Sequence, residues 1–113
     1  MEIKYEVILT DNAQKFLNSL VIEQKNLMYD LIGMLSLLGY ELDYPYNKKV
    51  HTNKNKIYEL RCNKFGNRLY YFFIGDQIYM ATNGGKKSTQ KKDIELADKI
   101  ASKILKDLKN EKL

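Results

Sequence analysis

A chain of 113 residues has room for one core and little more, and its 44% hydrophobic and 29% charged content exclude an intrinsically disordered protein. The formal net charge of +5 favours polyanionic partners through counterion release, nucleic acid or an acidic protein being the natural classes. Cys62 is the single cysteine, so no internal disulfide can form. No apolar run is long enough to span a bilayer, and Met1 to Leu9 interleaves charges where a signal peptide would be continuously apolar. These features predict a cytoplasmic protein with one domain over residues 1–113, no membrane association and no cofactor.

In chain order, Ile3, Tyr5, Val7 and Leu9 recur with period two and predict a half-buried strand. Thr10 or Asp11 can cap a helix whose stripe is Ala13, Phe16, Leu17 and Leu20. Leu27, Leu31, Leu35 and Leu38 form a second helical stripe that Gly39 is suited to stop. Tyr40 to Lys56, with Pro45, the only proline, and an Asn/Lys-rich run, reads as a connecting loop. Ile57 to Asn63, Arg68 to Ile74 and Gln77 to Thr82 predict a three-stranded antiparallel meander, with Asn83-Gly84-Gly85 breaking its pattern. A last helix, starting around Ser88 to Gln90, carries Ile94, Ala97, Ala101, Ile104 and Leu108 on one face. The expected fold class is α+β: an N-terminal strand, a helical hairpin, the meander and a C-terminal helix.

Alternation places Glu59 and Arg61 on one side of their strand and Arg68, Tyr70 and Phe72 on one side of the next. Arginine forks match phosphate oxygens and neighbouring rings can stack on bases, which predicts a solvent-facing RNA surface around Arg68 and Tyr70. For Arg61 taken alone, simple pairing with Glu59 is the favoured reading. Lys86, Lys87, Lys91 and Lys92 crowd the start of the last helix, an end that normally prefers acidic residues, and a phosphate site would explain them. The glycines there do not form a phosphate-loop fingerprint. A metal site is not expected, with one histidine, one cysteine and no acidic cluster at ligand spacing. Cys62 should face away from Arg61. His51 sits just before the strand that begins at Ile57 and belongs to the residue type suited to acid-base work near neutral pH.

The stretches Ile57-Tyr58-Glu59-Leu60-Arg61, Asn67-Arg68-Leu69-Tyr70-Tyr71-Phe72-Phe73, Lys86-Lys87 with Gln90-Lys91, and Asp93-Ile94-Glu95-Leu96-Ala97 resemble the HigB branch of the RelE/ParE toxin superfamily. The resemblance implies a RelE-like fold and a toxin of a type II toxin-antitoxin pair. Such a toxin is a ribosome-dependent messenger RNA endoribonuclease, silenced by a cognate antitoxin, often of helix-turn-helix type. Carried over position by position, it implies catalytic roles for Arg61, Arg68, Lys86 and Lys87; RNA contacts are expected from Tyr70, Gln90, Lys91 and His51. The chain departs from the pattern where Gly84-Gly85 replaces an aromatic residue before the lysine pair, where that loop lacks a histidine, and where the turn before the last helix is shorter and has no proline. The implied chemistry is attack by the RNA's own 2′-hydroxyl on the adjacent phosphate, with neither metal nor protein nucleophile. A gyrase-directed ParE-like toxin and a non-catalytic, phage-derived binding module of the same fold are the alternatives.

Overall fold

The computed structural model describes residues 3–111; the outermost ends of the expected domain, residues 1–2 and 112–113, lie outside the described residues. The elements are β1 (Glu6–Leu9), α1 (Asp11–Ser19), α2 (Ile22–Leu38), β2 (Asn47–Val50), β3 (Ile57–Cys62), β4 (Asn67–Gly75), β5 (Ile78–Lys86) and α3 (Gln90–Glu111). The fold is α+β, as expected, and the strands form a single five-stranded sheet in the order β1-β5-β4-β3-β2. β1 lies parallel to β5 and every other pairing is antiparallel.

Helices cover both faces. α1 and α2 pack on one, where Leu17, Met28 and Leu35 meet Leu60, Leu69, Tyr71 and Ala81. α3 covers the other, where Ala97 and Ala101 bring the helix close to Val50, Ile57, Tyr70 and Phe72. This double burial explains why β4 is aromatic on both sides: from Asn67 to Phe72 every residue is buried.

Three parts of the sequence reading need correction. The first strand is shorter than expected, since Ile3 and Tyr5 precede it. The segment taken as a loop contains β2, a polar edge strand whose Lys48 and Lys49 hide its pairing from a hydrophobicity pattern. Asn83-Gly84-Gly85 does not end the sheet, because β5 continues through it to Lys86. The irregularity lies one residue earlier: the register shifts between Tyr70 and Tyr71, opposite Asn83 and Ala81, and leaves Thr82 as the extra residue of a bulge. Thr10 ties this bulge to α1. Its hydroxyl donates to the Thr82 carbonyl at 2.7 Å and accepts from the Ala13 amide at 3.2 Å, capping the helix.

Gly39 stops α2 as predicted. Its φ of +54° suits glycine, and a Cβ there would lie 2.3 Å from the Tyr5 ring.

Candidate functional site

The register of the central strands sets the site. Arg61 on β3 is paired with Arg68 on β4, which is paired with Gly85 on β5, so these three positions form one row across the sheet. Two rows further in, and so on the same face, Lys48 of β2 stands opposite Glu59, and Glu59 opposite Tyr70. The Glu59 carboxylate is fully buried at the centre of these rows. Its Oε1 lies 3.5 Å from Arg61 Nε and its Oε2 lies 3.2 Å from Arg68 Nε. Gln90 Nε2, from the first residue of α3, donates to Oε2 at 3.1 Å. Neither arginine Nε–H is aimed at the carboxylate well enough to form a hydrogen bond, so both contacts are ion pairs by distance alone. One carboxylate thus holds two guanidiniums and leaves the cluster with excess positive charge.

This geometry overturns the expected open face around Arg68 and Tyr70. The Arg68 side chain is only 6% exposed, and its Nη1 donates to the Gly66 carbonyl at 2.8 Å. Tyr70 is completely buried against α3. The physical reason is the small-residue face of α3: Ala97 and Ala101 let the helix lie on the very side of β4 that alternation alone left to solvent. Burial first, then the nearby Glu59 and Asp93 carboxylates, push the Tyr70 hydroxyl above its ordinary range. Arg61 does pair with Glu59, and its side chain keeps 19% exposure. Its guanidinium lies 5.6 Å from the centre of the Tyr44 ring.

Lys86 and Lys87 are exposed at the end of β5 and in the short 3-10 turn, Lys87 to Thr89, that leads into α3. The start of this helix is not purely basic, as the sequence suggested, because Asp93 stands in its first turn. The Thr89 hydroxyl donates to Asp93 Oδ2, and Asn83 Nδ2 donates to the Asp93 carbonyl at 3.0 Å. Gly85 makes room for this arrangement, since a Cβ there would lie 1.8 Å from Asp93 Oδ2. Gly84, on the other face, accepts the Phe16 ring, which a Cβ would meet at 2.1 Å. The glycine pair therefore serves close packing on both sides of β5.

His51 and the distant pair Gln90 and Lys91 line one cavity of about 780 Å³ between the segment after β2 and α3. A clasp holds its walls together. Asp98 of α3 accepts from the Lys54 amide at 3.2 Å and the Asn55 amide at 2.9 Å, while Asn55 Nδ2 donates to Asp98 Oδ1 at 2.7 Å and to Ser102 Oγ at 2.8 Å. Arg61, Arg68, Lys86 and Lys87 do not line this cavity; Gln90 bridges to them through Glu59. Two residues of the site were not singled out from sequence, Lys48 opposite Glu59 and Tyr44 under Arg61, and neither left a signal. Glu59 was expected to pair with Arg61, whose strand face it shares, but its hold on Arg68 and Gln90 was not.

Cys62 is buried under α1 and α2, away from Arg61 as expected. Among the described residues no group of three or more His, Cys, Asp or Glu side chains is placed to hold a metal ion, and no helix is long and apolar enough to cross a membrane.

A family model described as phage-derived protein Gp49-like matches residues 15–102. No curated protein sequence matches the chain. Among solved structures, an arginine-mutated E. coli RelE toxin in the free state superposes with a TM-score of 0.64 at 14% identity, covering 83% of this chain and 96% of that one. The archaeal RelE-RelB complex from Pyrococcus horikoshii gives 0.60 at 15% identity, covering 75% and 97%. The toxin-antitoxin complex RelBE2 from Mycobacterium tuberculosis gives 0.60 at 16% identity, covering 78% and 97%. The likeness establishes the RelE-like fold.

Proposed function

The chain belongs to the phage-derived Gp49-like family, and on that premise we propose that it is the toxin of a toxin-antitoxin pair and cleaves messenger RNA on the ribosome. The observation that carries this reading is the ordered basic end of the sheet. Arg61 and Arg68 are fixed in register on adjacent strands by one buried carboxylate, beside the strand that ends in Lys86. Adjacent strands are about 4.8 Å apart, so Arg61 on β3 and Lys86, one position beyond this row at the end of β5, rise from backbones roughly 10 Å apart, a gap that long basic side chains can span at the end of the sheet. Charge fixed in place before the reaction stabilises the extra negative charge of a phosphorane-like transition state without reorganisation.

Burial divides the labour. Arg61, Lys86 and Lys87 reach solvent and are assigned to the phosphate, whereas Arg68 is a positioning residue that holds Glu59 and, through it, Arg61. Gln90, Lys91 and His51 guide the flanking RNA along the cavity beside α3, with His51 the side chain assigned to proton transfer. Tyr70 leaves the RNA-contacting set and becomes core. The RNA's 2′-hydroxyl supplies the nucleophile. The solved structures similar to this chain include RelE-RelB and RelBE complexes, which supports a cognate antitoxin as partner; a helix-turn-helix antitoxin and a cytoplasmic site of action complete the reading.

Induced expression in bacteria, followed by mapping of messenger RNA 5′ ends, tests the proposal. Growth arrest with new 5′ ends within coding regions is expected, and Lys86→Ala/Lys87→Ala should remove both. Arrest with unchanged RNA ends and altered plasmid supercoiling would point to a gyrase-directed toxin instead. No arrest at all would leave a non-catalytic binding module.

A further inference from the structure

The sheet face under α1 and α2 is not wholly covered. Where the end of α2 meets the sheet, a cavity of about 750 Å³ is lined by six tyrosines, Tyr5, Tyr40, Tyr44, Tyr58, Tyr71 and Tyr79, together with Phe73; Leu42 is its only aliphatic side chain. The inner rings form a connected wall. Tyr58 stacks on Tyr71 with centroids 5.7 Å apart, Tyr71 meets Tyr79 edge-on at 5.4 Å, and Phe73 and Tyr5 lean on Tyr79 at 5.1 and 5.6 Å. The outer rings are open to water: Tyr40 is 80% exposed, Tyr44 70% and Phe73 50%. A patch of this kind on a small domain marks a contact surface.

Lys48 and Lys49 of the edge strand line the same groove, against the single carboxylate of Asp43, and Asn47 and Gln77 add amide groups. Tyr44 joins it to the site already described, because the Arg61 guanidinium lies over its ring.

We propose that this tyrosine groove binds unpaired bases of single-stranded RNA, with Tyr40 and Tyr44 stacking on them and Lys48 and Lys49 contacting the phosphates. Aromatic faces flanked by cations form the general arrangement for holding single strands without sequence preference. The volume falls within the range of about 300–1,000 Å³ typical of small-molecule sites. An amphipathic protein helix is the weaker occupant, since such helices seat aliphatic side chains in aliphatic grooves, whereas nearly every apolar wall here is a flat ring carrying a hydroxyl. The inference rests on the RNA-directed reading for its choice of nucleic acid, but the ring wall of Tyr58, Tyr71 and Tyr79 lies on the opposite face of the sheet from Glu59, only Tyr44 and Lys48 at the sheet edge being shared with that site, and base stacking requires no cleavage.

The test is fluorescence anisotropy with a 2′-O-methylated single-stranded RNA of about ten nucleotides, a length within the range of known single-strand sites. Methylation blocks 2′-hydroxyl attack, so affinity is read independently of catalysis, whose failure appears separately in the 5′-end mapping. Tyr40→Ala/Tyr44→Ala should weaken binding by about ten-fold or more, as expected for lost base stacking. Tyr40→Phe/Tyr44→Phe should bind as wild type does, and an abasic strand of the same length should bind the wild type as poorly as the base-bearing strand binds the alanine variant. Because both rings are exposed, circular dichroism should be unchanged. Equal affinity for abasic and base-bearing strands, or alanine-variant affinity within two-fold of wild type, would overturn the proposal. So would alanine variants that lose antitoxin binding while keeping full RNA affinity, which would make the groove a protein-docking face.

Discussion

Glu59 and Leu60 are consecutive on β3, both completely buried, and they face opposite ways. Leu60 enters an apolar core with Leu17, Leu35 and Leu69 under α1 and α2. Glu59 enters a smaller layer under α3 that also buries Arg68, Asn83 and Asp98. The first face gains its stability from area removed from water. The second spends part of its burial on charge, which gains little net stability but fixes where two guanidiniums stand. The contrast separates a face that holds the fold from a face that holds a geometry.

The sharpest way to break this comparison is to truncate the two neighbours. Glu59→Ala should cost about 3–5 kcal/mol, because it strands the buried Arg68 guanidinium without a counter-charge. Leu60→Ala should cost about 2–5 kcal/mol through lost transfer energy and a residual cavity. Urea denaturation measures both. Only the charged site should be rescued by a second change: Glu59→Ala/Arg68→Met should recover most of the loss by removing both ions. If the double variant is no more stable than Glu59→Ala, the carboxylate does not act mainly by neutralising Arg68.

Gly84 and Gly85 allow the same comparison at smaller scale. Alanine at 84 must displace the Phe16 ring, which is packed in the apolar core, and should cost about 1–3 kcal/mol as overpacking. Alanine at 85 meets only side-chain ends, the Asp93 carboxylate and the Thr89 hydroxyl, which can swing away. Gly85→Ala should therefore destabilise less, while loosening the start of α3 and lowering growth arrest more than its stability loss predicts.

Most of the architecture was legible because the apolar periods were clean: the stripes from Ala13 to Leu20 and from Leu27 to Leu38 are α1 and α2, and the three predicted strands are β3, β4 and β5. What failed has physical causes. β2 carries Lys48 and Lys49 and earns its place by pairing with β3, not by burial, so no hydrophobic pattern reveals it. The site was half legible. The Glu59–Arg61 pair lies two residues apart on one strand face and could be read directly. The burial of Arg68 and Tyr70 depends on where α3 docks, a long-range fact that strand alternation does not contain. The convergence of His51, Gln90 and Lys91 depends on the same docking.

Tyr70 and Tyr71, again neighbours facing opposite ways, extend the comparison to pH. Burial is the main cause that raises both hydroxyls above their ordinary value of 10.0; carboxylates add to it at Tyr70, and the tyrosines Tyr79 and Tyr58 add to it at Tyr71. Below pH 10 both are protonated in folded and unfolded chains, and stability is unaffected. Above pH 10 the unfolded chain loses these protons while the folded one keeps them, so stability falls by up to about 1.4 kcal/mol per pH unit for each group. Tyr71→Phe should reduce that slope in denaturation measured between pH 9 and 11. An unchanged slope would place the alkaline loss elsewhere.

The smallest effect on global stability should come from Asp98, yet it bears most directly on the cavity. Its carboxylate accepts two backbone amides and the Asn55 side chain, and so ties the segment between β2 and β3 to α3. Asp98→Asn keeps one acceptor oxygen but turns a donor toward groups that are themselves donors, and it should cost only about 1 kcal/mol. The cost stays small because the segment can open locally without unfolding the sheet. Hydrogen exchange distinguishes the two outcomes. The amides of Lys54 and Asn55 should exchange about five-fold faster, in line with that energy, while those of Leu60 and Leu69 keep their protection. Since His51 and Gln90 line the cavity that this clasp closes, the proposed RNA cleavage should weaken in parallel with the local opening. Exchange that accelerates uniformly across the sheet would mean that Asp98 supports the fold as a whole, and the division between a stabilising face and a geometry-holding face would then fail at α3.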